Sequence, residues 1–291
     1  MHLLPGPWPA RATWALLPLV LGPALGEALD ERSRAVALTG AALAWGTWAV
    51  VLVAVLLPRT VSLTALRIAA PAALGAANWA ALAGDRTTVD GLAVLAAALT
   101  SVAAFSPLTG DAFVNGSAYG DERRLPLRVP GPLLLGPLAL AEVAAVAGPV
   151  AGALLLAAEQ WVAGAVVLVT GGLVSAAAVR ALHGLSRRWV VFVPAGLVLH
   201  DPHTMVDPVL FPRRSIERLG PAPAEAAQRA LDLTGRSLGL ALELALREPL
   251  EVAPRRADKA VQVEPVERLL FTPTRPGAVL AEATRRRLPV G

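Results

Sequence analysis

RRWVVFVPAGLVLHD, Arg187–Asp201, is the stretch whose reading decides the fold. β-branched and aromatic residues crowd into Trp189–Val193, Pro194-Ala195-Gly196 interrupts them, and Leu197–His200 resumes the apolar run. That is the pattern of a strand, a tight turn and a returning strand. The preceding residues read differently, as one long apolar segment after another, each of the length that crosses a bilayer as a helix. The chain therefore predicts two parts: a transmembrane helical domain over residues 1–186 and a cytoplasmic β-domain over residues 187–291.

Composition supports the first part. Of 291 residues 55% are apolar and only 16% charged, with a mean hydropathy of +0.57, where a soluble domain carries roughly 25% charged residues. Cysteine is absent, so disulfides, thiolate metal sites and a cysteine nucleophile are excluded together. Lys259 is the sole lysine among 26 basic residues, and the net charge is +4. Residues 1–186 balance 10 arginines against 10 acids, while residues 187–291 carry 16 basic and 12 acidic groups. An excess of that size suits a domain facing anionic headgroups. It is too small and too scattered for nucleic acid.

Six spans are expected, over residues 13–29, 35–57, 61–83, 89–105, 132–158 and 161–182. The first is the weakest, because Pro18 and Pro23 shorten it, which leaves five as the fallback. No small-x-small cleavage site follows it, so a signal peptide is not expected. Arginines set the orientation. With both termini cytoplasmic, Arg11, Arg59, Arg67, Arg123, Arg124, Arg128, Arg180, Arg187 and Arg188 lie inside, against Arg32, Arg34 and Arg86 outside. The runs AGPVAGALLLAA and TGGLVSAAA suit close helix packing. The connection 106–131 is rich in turn formers and reads as a solvated linker in preference to a segment docked on the C-terminal domain. Asn115-Gly116-Ser117 within it reads as a turn.

Arg67 and Glu142 form a candidate intramembrane polar pair. They lie six and ten residues into spans that begin on the cytoplasmic side, so about 9 and 15 Å deep at 1.5 Å per residue. Such charges mark ion pathways or simply hold helices together, and the second reading is favoured.

In the C-terminal part, strands are predicted over 189–193, 197–200, 208–211 running toward Ile216, 230–234, 239–247 and 268–272, with a marginal one at 261–263. A charged linker, 253–265, precedes the last strand. A helix is predicted over 275–288, with Thr274 as its cap and Arg285-Arg286-Arg287 near its C-terminus. The order WVVFVPAGLVLHD, VLFPRRSIERLG, LLFTPTRPGAVLAEATRRRL resembles a bacterial pleckstrin-homology-like (PH-like) domain across residues 188–289. The whole chain resembles actinobacterial integral membrane proteins that carry such a tail. The resemblance implies a multi-domain chain: an all-α transmembrane bundle of about six helices, then a small β-barrel of about seven strands plugged by a C-terminal helix. Phosphoinositide-binding relatives place basic residues across the first strand pair. Here none occurs between Val190 and Leu199, so specific phosphoinositide binding is not expected. Arg187, Arg188, Arg213 and Arg214, with Arg218, remain as candidate membrane-surface contacts.

Catalytic chemistry is not apparent. His200-Asp201-Pro202-His203 gathers two imidazoles and a carboxylate, but no fourth soft ligand exists and Pro202 suits a turn. No phosphate-binding lysine loop, G-x-S-x-G or H-E-x-x-H occurs. The expected partners are the lipid bilayer and a protein at the cytoplasmic domain, with no cofactor, no metal and no reaction. A small-solute transporter or channel built on Arg67 and Glu142 is the alternative.

Overall fold

Hydrophobic length governs the first part of the computed structural model, which describes residues 6–84, 86–255 and 262–291. Helix α1 (Trp8–Leu16) runs almost directly into α2 (Pro18–Asp30). Pro18 has no N–H to give the preceding turn, so its own helical bond is missing, while Leu17 stays in the helical region and donates to Trp14 O at 3.3 Å. Helix α3 (Arg34–Leu56) starts at Ser33, whose Oγ accepts from Val36 N at 3.4 Å. Helix α4 (Thr60–Ala83) follows Pro58, and α5 (Thr88–Phe105) begins with a capping box. There Thr87 N donates to Asp90 Oδ2 at 2.8 Å while Asp90 N donates back to Thr87 Oγ1, satisfying two otherwise orphaned donors. A short helix α6 (Pro107–Asn115), strand β1 (Arg123–Pro126) and the single turn α7 (Gly131–Leu134) lead to α8 (Pro137–Ala157) and α9 (Trp161–Ser186).

Among the described residues six helices are long and apolar enough to cross a membrane: Trp8–Asp30, Arg34–Leu56, Thr60–Ala83, Thr88–Phe105, Pro137–Ala157 and Trp161–Ser186. They match the six expected spans in number and order, a pattern compatible with a multi-pass membrane protein. Their outward faces are apolar and uncovered, as at Leu173 and Val162 of α9, which water would penalise and lipid would not. The chain divides into two compact units.

The helical unit holds the residues up to Phe113 together with Ala139–His183. Its packing relies on small residues. Ala69, Ala70, Ala77 and Ala80 of α4 and Ala93, Ala97, Thr100 and Ala104 of α5 are all buried. Between α8 and α9 the backbones nearly touch. A Cβ on Gly148 would stand 2.4 Å from Gly171 Cα, and one on Gly152 would stand 2.6 Å from Leu168. Ser175 Oγ donates to Ala145 O at 2.6 Å across the same seam. The small-residue runs seen in the sequence are therefore a helix contact of the kind lipid-embedded helices use.

The β unit holds Val114–Leu138 and Gly184–Gly291. Strands β2 (Trp189–Val193) and β3 (Gly196–His200) form the hairpin expected at Arg187–Asp201, with Trp189 opposite His200 and Val193 opposite Gly196. Only glycine fits position 196, because a Cβ there would stand 2.1 Å from Phe211 O. Strand β4 (Val209–Pro212) pairs with β3, and a 3₁₀ turn, Arg213–Ser215, leads to β5 (Ile216–Pro221). The two-residue β6 (Leu231–Asp232), the long β7 (Leu242–Val252), β8 (Glu264–Phe271) and helix α10 (Pro276–Arg285) complete the unit.

The β unit departs from the sequence-based expectation in two respects. The connection 106–131 is not a solvated linker: its strand β1 pairs antiparallel with β2, Leu125 opposite Val190 and Pro126 opposite Trp189. Leu125 is buried because its aliphatic side chain enters the core beside Val190 and Phe192. Asn115 has a structural place as well, its Oδ1 accepting from Arg124 N at 3.0 Å. Second, no closed barrel forms among the described residues. The strands pair as two four-stranded sheets, β1-β2-β3-β4 and β5-β7-β8-β6. The 3₁₀ turn after Pro212 turns the chain away from β4 before β5 begins, and β5 pairs with β7. Both sheets and α10 contribute to one apolar core, which includes Phe192, Leu199, Leu219, Leu244, Phe271 and Val279.

Smaller differences are local. The strand expected at 230–234 shrinks to Leu231–Asp232, paired parallel with β8. Thr274 does not cap α10. Its N–H and hydroxyl both donate to Pro126 O, at 2.9 and 3.1 Å, so it secures the end of β1. Of the linker 253–265 and the marginal strand 261–263, residues 256–261 lie outside the described residues.

Candidate functional site

Arg67 and Glu142 do occupy the helical unit, on α4 and α8, near enough to attract one another electrostatically. Among the described ion pairs none joins them. The Arg67 guanidinium lies 5.5 Å over the Phe105 ring, and its Nε donates to Ala104 O at 3.4 Å. That oxygen belongs to the last turn of α5, where helix carbonyls lack internal partners. Glu142 Oε2 is buried without a hydrogen-bond partner.

A cavity of about 1070 Å³ opens in the same unit among α1, α2, α3, α4, α8 and α9. Its walls are small and apolar, including Gly40 and Ala44 of α3, Ala69 and Ala73 of α4, and Val150 of α8. Trp14 and Trp48 fasten one side: each indole N–H donates to the other's backbone carbonyl at 3.1 Å. Arg32 is the charged residue on its lining. Neither the cavity nor the crossed tryptophans were legible in sequence, since α3 carries apolar residues on all sides and so gives no phase for its packing.

The candidate surface arginines separate. Arg187 is exposed at the start of the hairpin, its carbonyl accepting from His200 Nδ1 at 2.7 Å. Arg213 and Arg214 are exposed in the 3₁₀ turn, which Arg213 N joins to the hairpin turn by donating to Ala195 O. Arg213 also donates to the carbonyl of Arg286, beyond α10. Arg218 pairs with the buried carboxylate of Glu243.

Arg188 is not a surface contact. It is 2% exposed, and its guanidinium meets Asp201 at two points, Nε to Oδ1 at 2.7 Å and Nη2 to Oδ2 at 2.6 Å. Its Nη1 donates to Arg128 O at 2.5 Å. A buried arginine without such partners would be prohibitively costly, so the fold supplies them from β3's end and from the segment after β1. Burial opposes the Asp201 charge, but the hydrogen bonds and charge of Arg188 win and hold its carboxyl below the ordinary 3.8. The same Oδ1 accepts from His203 N at 3.1 Å. The His200-Asp201-Pro202-His203 cluster is thus a turn organised around an ion pair. Burial, then the Arg188 charge, push the His203 imidazole below its ordinary 6.5. Among the described residues no group of three metal-ligating side chains converges.

Sequence contained a signal for this pair that residue-type scanning misses. Counting outward from the two-residue turn Pro194-Ala195 sets Val193 opposite Gly196, Trp189 opposite His200 and, one step further, Arg188 opposite Asp201. The adjacent pair also interacts: Trp189 and His200 stack with ring centroids 4.8 Å apart, and the Arg124 guanidinium of β1 lies 5.7 Å from the Trp189 ring centroid.

No protein-family model, curated protein or solved structure matches this chain.

Proposed function

We propose that this chain is a multi-pass protein of the cell membrane, with both termini cytoplasmic, whose C-terminal β unit is a PH-like, non-enzymatic module for interaction with a protein or with the membrane surface. The observation that carries this reading is the pairing of β1 with β2. Through it the β unit is built on two chain connections, one before α8 and one after α9, which suits a module displayed at a membrane face. Two sheets followed by a C-terminal helix agree with the PH-like resemblance in element order. The outer strand β4, with Leu210 43% exposed, offers an edge on which an extended partner segment can pair. Proximity labelling from the C-terminus of the full chain, compared with Leu210→Asp, tests this. Neighbours that disappear in the variant support the reading, and an unchanged set counts against a role for that edge.

A transporter or channel is the second reading, favoured by the unpartnered buried Glu142 Oε2 beside Arg67. Solute flux in reconstituted vesicles that vanishes with Glu142→Gln would replace the first reading with this one.

A further inference from the structure

The segment between β6 and β7 exposes two large apolar side chains, Leu238 at 70% and Leu240 at 51%. It is firmly placed nonetheless. Gly131 N donates to Gly235 O at 3.2 Å, and Ser237 Oγ donates to Val129 O at 2.9 Å. A Cβ on Gly131 would stand 2.2 Å from Arg236 O, and one on Gly239 would stand 2.9 Å from Arg128 Nε. Residues 235–239 therefore lie along 128–131. Leu134 and Leu135, three and four residues after Gly131 along the chain, are themselves 49% and 89% exposed. Exposed Arg128 and Arg236 lie in the same two segments, one in each.

An exposed apolar patch rimmed by cations marks a binding surface, and the chain itself indicates for what. Leu135 lies two residues before Pro137, the first residue of the apolar helix α8, so one side of the patch is where the chain passes into the span. We propose that this patch is a membrane anchor. Leu134, Leu135, Leu238 and Leu240 enter the boundary between headgroups and acyl chains, and Arg128 and Arg236 meet lipid phosphates. This deepens the membrane-surface reading above and rests on α8 being a span. It moves the contact away from Arg213 and Arg214, which sit at the turn end of the hairpin. With four steps of about 3.3 Å from Trp189 to Val193, that end is about 13 Å from the Trp189 end, where the chain leaves α9.

The absence of cysteine makes the test direct. Leu238→Cys and Leu240→Cys in the full chain are each labelled with a polarity-sensitive fluorophore and reconstituted in phosphatidylcholine–phosphatidylglycerol vesicles containing spin-labelled phospholipid. Leu173→Cys on the uncovered face of α9 and Ala195→Cys at the hairpin turn serve as references. Blue-shifted emission quenched by the spin-labelled lipid at 238 and 240, with neither change at 195, is the expected result. Water-like emission at 238 and 240 alongside quenching at 173 overturns the anchor and leaves the spans standing. Blue-shifted but unquenched emission overturns it too, because protein then covers the patch. Absence of quenching at 173 removes the span reading, and the anchor with it.

Discussion

Arg188 and Asp201 face each other across the open end of the first hairpin as a two-point ion pair, 1% and 0% exposed at their side chains. The third guanidinium nitrogen reaches Arg128 O, and Leu127 N donates to Arg188 O at 3.0 Å. One buried cation thus joins β2, β3 and the segment that follows β1. Removing one partner of such a pair leaves a buried charge uncompensated, which typically costs about 3–5 kcal/mol. Arg188→Ala or Asp201→Ala is expected to lower stability by that order, followed by thermal unfolding of the full chain in detergent. The double replacement Arg188→Met with Asp201→Leu is expected to recover most of the loss, since an apolar pair leaves no orphaned charge.

Acid should weaken the β unit in two stages. The His203 imidazole is held below its ordinary 6.5 in the folded chain, first by burial and then by Arg188. Its unfolded form therefore binds a proton that the folded form resists, and stability falls as pH drops below about 6.5. Asp201 has a depressed carboxyl, so its contribution is complete above the ordinary value of 3.8 and is lost as pH falls through the lower folded value. Replacing His203 by Gln should flatten the first stage and leave the second. A denaturation series between pH 3 and 7 reads both, and an unchanged slope near pH 6 in His203→Gln would refute the assignment.

The Gly148–Gly171 contact sets the spacing of α8 and α9. A Cβ at Gly148 meets backbone at 2.4 Å, so Gly148→Ala must push the helices apart rather than displace a flexible side chain. The expected cost is about 1–3 kcal/mol, the usual range for overpacking. A Cβ on Gly172, one residue from Gly171, would meet nothing within 4 Å, and Gly172→Ala should be neutral. Comparing the melting temperatures of the two variants checks the seam.

Leu125 lies far in sequence from the strands it packs with, yet its truncation should act on them. It is buried beside Val190 in the shared core, and Leu125→Ala is expected to cost about 2–5 kcal/mol. Arg123 and Arg124 lie within β1, so trypsin should cleave there slowly in the parent chain and readily in Leu125→Ala. Equal cleavage rates would show that β1 contributes little to holding this segment.

Much of the architecture was legible in the sequence. The six apolar helices follow from hydrophobic length, because a lipid-facing helix needs apolar residues on every side and so announces itself by composition. The hairpin was legible because its turn and its alternation are local, and register then propagates outward by counting residues. The β1 strand was not. RRLP is four residues long and half arginine, and its partner lies beyond two spans, where no local pattern reaches. The same holds for Arg188: as a residue type beside a membrane it reads as a headgroup contact, and only its position opposite Asp201 makes it an interior residue.

By itself, then, the sequence determined the helical segments, the place where the chain turns from helices to strands, and the first hairpin. These depend on side-chain periodicity and on the conformational limits of proline and glycine. Tertiary structure decided which distant segment completes the first sheet, that the strands form two sheets, which arginines are buried, and that residues 235–239 lie along 128–131. Those outcomes depend on non-local pairing, and a buried charge or a shared core is settled only when the partner arrives from elsewhere in the chain.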